Sequence, residues 1–204
     1  MINFILLSIF AYLLGSIPFG YLVGRVNGVD VLKIGSNSAS STNVSRALGW
    51  RWGVVSAILD FSKGALPAYI AKMYLANQWQ LIIVALLPMV GQVLPIFLKF
   101  RGGKGASSFY GATLGLIGPK YFVYFFPILL VLFLITRKMS LTNMIFSWIL
   151  VALMFIFSVL VLPPVFPLSY VVFAAIGASF LLFALRENIK RITKGTEPET
   201  SVKW

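Results

Sequence analysis

Residues 105–136 read GASSFYGATLGLIGPKYFVYFFPILLVLFLIT, and how often this stretch crosses a bilayer decides the architecture. Lys120 is its one charged residue. Gly118 and Pro119 divide it into two pieces, each shorter than the roughly 20 apolar residues of a standard transmembrane helix. Basic clusters flank it: Lys99 to Lys104 before, Arg137 with Lys138 after. Cytoplasmic loops are rich in Lys and Arg. Placing both clusters on that side requires two crossings, 105–118 and 120–136, and short spans are tolerated inside a bundle or by local thinning. One long broken helix would set the two clusters on opposite sides and leave six spans.

Outward from this stretch the spans are plainer. Residues 1–24, 73–98 and 139–185 carry no charge. The last is long enough for two helices, with Pro163, Pro164 and Pro167 marking a turn between them. Residues 52–71 are apolar apart from Asp60 and Lys63. The pattern predicts an all-α integral membrane protein with seven transmembrane helices, at about 3–24, 52–75, 79–98, 105–118, 120–136, 141–161 and 166–185. The N-terminus is then outside and the C-terminus cytoplasmic. Of the 17 Lys and Arg residues, 14 fall on the cytoplasmic side in this arrangement; Lys72, Lys120 and Lys63 do not. No basic residue precedes the first apolar run, so residues 1–24 read as a retained helix rather than a signal peptide. No internal repeat is visible. The expectation is one polytopic domain over 1–204, with functional loops at 25–51 and 99–108 and a basic tail at 186–204.

Composition narrows the chemistry. Of 204 residues 59% are hydrophobic and 11% charged, against about a quarter charged in soluble domains. There is no Cys and no His, which removes thiolate chemistry, Cys/His zinc sites and every His-dependent triad. Five carboxylates spread along the chain make a metal cage improbable, so no metal and no cofactor are expected. A net charge of +12 remains, resting on Lys, Arg, hydroxyls, amides and backbone N–H groups. That inventory suits anions.

Four segments could use it. Gly35-Ser-Asn-Ser-Ala-Ser-Ser-Thr-Asn-Val-Ser-Arg46 offers hydroxyls, amides and N–H groups to an oxyanion, although a solvated Ser/Asn-rich linker has the same composition. Lys99-Phe-Arg-Gly-Gly-Lys-Gly-Ala-Ser-Ser108 lets the backbone come close to a ligand just before a helix start. It lacks the spacing of a Walker A loop. Asp60 and Lys63 share a helix face inside a span, where unpaired charges are costly, so they pair or line a polar cavity. In the tail, Asn188 and Glu187 each share a face with Arg191; a basic helix there could also just touch anionic lipid.

Together these segments resemble the PlsY-type acyl-phosphate:glycerol-3-phosphate acyltransferases of bacterial membranes. The resemblance includes Gly15-Ser16-Ile17-Pro18-Phe19-Gly20, the Gly-Ser…Thr-Asn-Val…Arg loop and Asp60-x-x-Lys63-Gly64. It continues through Pro95-x-Phe97-x-Lys99-Phe100-x-Gly102-Gly103-Lys104-Gly105 and Glu187-Asn188-Ile189-Lys190-Arg191…Gly195-Thr196-Glu197. It implies transfer of a fatty acyl group from acyl phosphate to the 1-position of glycerol 3-phosphate, giving lysophosphatidate and phosphate for phospholipid synthesis. It also implies a multi-pass protein of the bacterial cell (inner) membrane, whose partners are those two substrates and membrane lipids, not nucleic acid. On this reading Ser36 and Lys104 hold and neutralise the acyl phosphate. Arg46, Asn188 and Arg191 clamp glycerol 3-phosphate, with Asn43, Gly102, Gly103 and Gly105 in the binding loops. Asp60, Lys63, Glu187 and Gln92 support them.

The chain departs from the family pattern at Asn37-Ser38-Ala39-Ser40-Ser41, where Gly-Asn-Ile-Gly-Ala is common, and at Gln92, where His is usual. Two other readings follow: a divergent paralogue acylating another phosphorylated alcohol, or an organic-anion transporter. A transporter would need basic residues along its spans, and Lys63 alone is clearly within one.

Overall fold

The computed structural model describes residues 1–199; the end of the expected tail, 200–204, lies outside the described residues. The helices are α1 (Ile2–Ser16), α2 (Phe19–Val26), α3 (Ser41–Leu48), α4 (Trp50–Tyr74), α5 (Gln78–Val93), α6 (Ala106–Thr136), α7 (Met139–Phe155), α8 (Leu168–Ala184) and α9 (Arg186–Thr193). Five helical segments among the described residues are long and apolar enough to cross a membrane: Ile2–Val26, Trp50–Tyr74, Gln78–Leu98, Ala106–Thr136 and Met139–Leu160. A sixth arises if Leu168–Ala184 is joined with Arg186–Thr193 across a 62° bend.

The first segment breaks at Ile17, because Pro18 has no N–H to give the helix. Segment 105–136, expected as two spans, forms two helical arms that meet at Gly118, whose φ of 79° and ψ of 165° are far from helical. Its two arms lie side by side on α4. Gly111 abuts the backbone of Phe61, and the ring of Phe122 lies 5.5 Å from that of Phe61. A straight helix would carry residue 122 about 16 Å beyond residue 111. The chain therefore doubles back at Gly118, where Lys72 Nζ donates to the Leu116 carbonyl at 2.7 Å. The expected proline turn is also present: helix ends at Leu160 and resumes at Leu168.

Small residues set the helix spacing. Gly64 faces the backbone of Ser108, Gly115 faces Ala65 and Ala68, and Gly91 meets the backbone of Tyr12 and Gly15. Where lipid is as apolar as the side chains, such close backbone approach is a main source of attraction. Phe109, Phe173, Leu81, Met89, Leu116 and Leu181 fill the interior behind these contacts.

Candidate functional site

The first loop is organised by one residue. Asn43, fully buried on α3, accepts from Ser36 N at 3.0 Å. Its Nδ2 donates to the carbonyls of Val31 (2.8 Å), Ser38 (2.9 Å) and Ile34 (3.0 Å). Gly35 adopts φ +61°, and a Cβ there would collide with Asn43 Oδ1, so this turn admits only glycine. Asn37 takes φ +50°, a conformation Asn tolerates better than most residues. The hydroxyls of Ser36, Ser38 and Ser40 form a chain, at 2.9 and 3.1 Å. Ser40 caps α3, accepting from Asn43 N at 3.3 Å.

The second loop is shaped from outside. Phe100 N donates to the Pro95 carbonyl at 2.9 Å, and Gly103 N to the Gln92 carbonyl at 2.9 Å. The Gln92 side chain accepts from Ser108 N at 3.4 Å. A Cβ on Gly102 would strike the Gln92 carbonyl.

Between the loops lies a cavity of about 450 Å³. Its polar end is lined by Ser36, Ser41, Arg46, Lys104, Ser140 and Asn188, together with Glu197. The first turns of α3, α6 and α7 open onto it through Thr42, Ser107 and Ser140. Helix N-termini carry partial positive charge and free N–H groups, so all three favour an anion. Its other end is apolar: Val54, Ala57, Ile58 and Phe61 of α4 face Phe122, Phe126 and Leu129 of the second α6 arm. Val54, Ile58 and Phe126 are exposed, so this end opens on the lipid-facing surface.

Charge converges at the polar end. Burial lowers the pKa of Lys104, and the positive charges of Arg191 and Arg186 lower it further. Burial likewise lowers that of Arg46, with Arg191 adding to the effect and Glu197 opposing it. An incoming phosphate would relieve both. Burial pushes Glu197 up, but hydrogen bonds from Ser140, Asn188 and Arg191 outweigh it and hold the carboxyl below its usual 4.5. Those bonds measure 2.7 Å from Ser140, 2.9 Å from Asn188 and 2.7 Å from Arg191 Nε. Arg46 reaches the same tail segment at the Pro198 carbonyl, 3.4 Å away.

The expected residues thus divide. Ser36, Arg46, Lys104, Gly105, Asn188 and Gln92 line the cavity. Arg191 reaches it through Glu197. Asn43 does not face it; its side chain is consumed in holding the loop. Gly102, Gly103, Asp60 and Lys63 line a second, much smaller chamber together with Gln92. Glu187, expected near Arg191, is exposed and pairs with Lys190 at 3.1 Å. Glu197, Ser140 and Asn143 were not foreseen. Glu197 stood in the quoted tail motif, but no spacing along the chain signals that it meets Ser140, 57 residues away.

The pattern of the family described as glycerol-3-phosphate acyltransferase matches residues 5–195. The chain is 38% identical to a glycerol-3-phosphate acyltransferase of Thermus thermophilus, over 92% of this chain and 90% of that protein. It is 35% identical to one of Aquifex aeolicus, over 94% and 96%. Among solved structures it resembles PlsY (YgiH), an integral membrane glycerol 3-phosphate acyltransferase, in its glycerol 3-phosphate form. The TM-score there is 0.88 at 33% identity, covering 97% of this chain and 95% of that one. The lysophosphatidic acid form of the same protein gives 0.87 at 32%.

Proposed function

The chain belongs to the glycerol-3-phosphate acyltransferase family, and from that membership we propose that it acylates the 1-hydroxyl of glycerol 3-phosphate with acyl phosphate as donor. It is an enzyme of phospholipid synthesis and a multi-pass membrane protein. The observation that carries the donor assignment is the cavity's two-ended build: an anion site continuous with an apolar groove open to lipid. An acyl phosphate is such a molecule, with a phosphate head and an alkyl tail.

Lys104, Ser36 and the first-turn amides of α6 hold the donor's phosphate, and its chain lies along Val54, Ile58, Phe122 and Phe126. Arg46, Asn188 and Arg191 hold the acceptor's phosphate, for which a planar guanidinium suits bidentate contact. The acceptor oxygen attacks the acyl carbonyl carbon. A new C–O ester bond forms, the bond from that carbon to the phosphate oxygen breaks, and the hydroxyl proton passes to a substrate phosphate oxygen. Phosphate is a good leaving group, so positioning and charge neutralisation supply the catalysis.

The seven-span topology, with the N-terminus outside and the C-terminus in the cytoplasm of a bacterial inner membrane, is part of the same proposal. The reversal at Gly118 supports it, because each α6 arm then counts as one crossing. The test is phosphate release by the purified protein from palmitoyl phosphate, with and without glycerol 3-phosphate. Release that depends on glycerol 3-phosphate and yields lysophosphatidate supports the reading. No release with it, but release with another phosphorylated alcohol, replaces the acceptor.

A further inference from the structure

Beneath the glycine loop lies a chamber of about 10 Å³ that the acyl-transfer scheme leaves unused. Ser16, Ile17, Asp60, Lys63, Gln92 and the Gly102–Gly103 backbone line it. Asp60 and Lys63 are both buried and pair at 2.8 Å. Lys63 Nζ also donates at 2.9 Å to the Ile17 carbonyl at the proline break after α1, which accepts from Phe19 N at 3.1 Å as well. The pair therefore clamps the α1 break to α4. A carboxylate has about four lone-pair sites. Here Lys63 and the Gln92 side chain are the polar groups that reach the Asp60 carboxylate, and they leave lone-pair sites on both oxygens unfilled. One turn earlier on the same helix face, the buried Ser56 hydroxyl is unpartnered. Buried polar groups are rarely left so.

Gln92 stands between this chamber and the loop. Its carbonyl receives Gly103 N, and its side chain receives Ser108 N, one residue each side of the Lys104 to Ser107 segment. The Asp60 carbonyl accepts from Ser108 Oγ at 3.0 Å. At this end Asp60 and Gln92 thus moor the loop bearing Lys104. Space for one water centre takes roughly 10–15 Å³, which matches the chamber.

We propose that one ordered water occupies this chamber and links the Asp60 carboxylate to the glycine loop, making Asp60 and Lys63 positioning residues for Lys104. This role rests on the acyl-transfer reading; the water itself does not. The open lone-pair sites of Asp60 supply acceptors for the water protons, and the Gly102–Gly103 backbone and Gln92, which line the same chamber, complete its surroundings.

Two measurements test it. The first is a crystal structure of the unsubstituted protein at a resolution where single waters are seen. One water within hydrogen-bond distance of Asp60 is expected; a dry chamber overturns the proposal whatever any variant does. The second is the double variant Asp60→Asn with Lys63→Met, which leaves no unpaired charge behind, unlike either single change. Its thermal midpoint in detergent should stay near that of the parent. Its kcat should fall on the order of tenfold to a hundredfold, as small misplacements of a reacting group do. KM for acyl phosphate should rise, while KM for glycerol 3-phosphate holds. A stable double variant with parental kcat and both KM values unchanged overturns the positioning role. If the parent itself releases no phosphate, the acyl-transfer reading fails instead, and the crystallographic water still decides the site.

Discussion

The two loops that meet at the cavity are built in opposite ways. The 35–46 loop carries its own scaffold: Asn43 gathers Val31, Ile34, Ser36 and Ser38 around one amide, all within 12 residues. The 99–105 loop has no such hub. Its shape comes from Pro95 and the Gln92 backbone, from the Met89 side chain against Gly105, and from the buried groups beneath. A self-held loop can survive change in its surroundings, whereas a moulded loop transmits it. The difference also separates roles. Three residues apart on α3, Asn43 is structural and Arg46 faces the cavity.

The sharpest challenge to this contrast is Lys104→Ala. It should cut kcat/KM by about 10²–10³-fold, the loss typical of removing one charge-stabilising donor, with the thermal midpoint unmoved. A comparable fall in stability would make Lys104 part of the scaffold, like Asn43. Asn43→Ala should do the reverse, first unfolding the structure and only then affecting turnover. Stranding several buried partners costs about 3 kcal/mol, seen as an earlier denaturation midpoint. A variant of parental stability would show that the first loop is not self-held.

Next comes a pair within the moulded loop. Gly102→Ala places a Cβ against the Gln92 carbonyl and should cost about 1–3 kcal/mol through overpacking, with a matching loss of activity. At Gly103 the nearest atom to such a Cβ is 3.6 Å away, so Gly103→Ala should be close to neutral in both readouts. Equal effects at the two positions would remove Gln92 as the mould.

The smallest expected effect is in the pH profile. Because burial and neighbouring cations lower the Lys104 pKa, raising the pH removes its proton earlier than from an ordinary lysine at 10.5. KM for acyl phosphate should therefore begin to rise below that pH, and Lys104→Arg, which stays charged, should lose this alkaline limb. An unchanged limb in Lys104→Arg assigns it to another group.

Hydropathy and charge are properties of the chain itself, so most helices were legible. The 79–98 and 141–161 expectations fall within about two residues of Gln78–Leu98 and Met139–Leu160. The break at Gly118-Pro119 and the proline turn after Leu160 were legible for the same reason, since Gly and Pro act locally. The donor-rich, basic character of both loops is likewise a matter of residue type, with positive charge and few carboxylates.

Only the tertiary structure separated the groups that face the cavity from those that hold other groups in place. Asn43, Gly102 and Gly103 carry the same motif signal as Arg46 and Lys104, yet they turn away from the main cavity. The fold likewise brought Glu197 to Ser140 and Lys63 to the Ile17 carbonyl, 57 and 46 residues apart. The physical reason is that hydropathy and local backbone preference are set by near neighbours in sequence. A side chain's partner is set by which helices the glycine contacts allow to approach, and no local pattern encodes that.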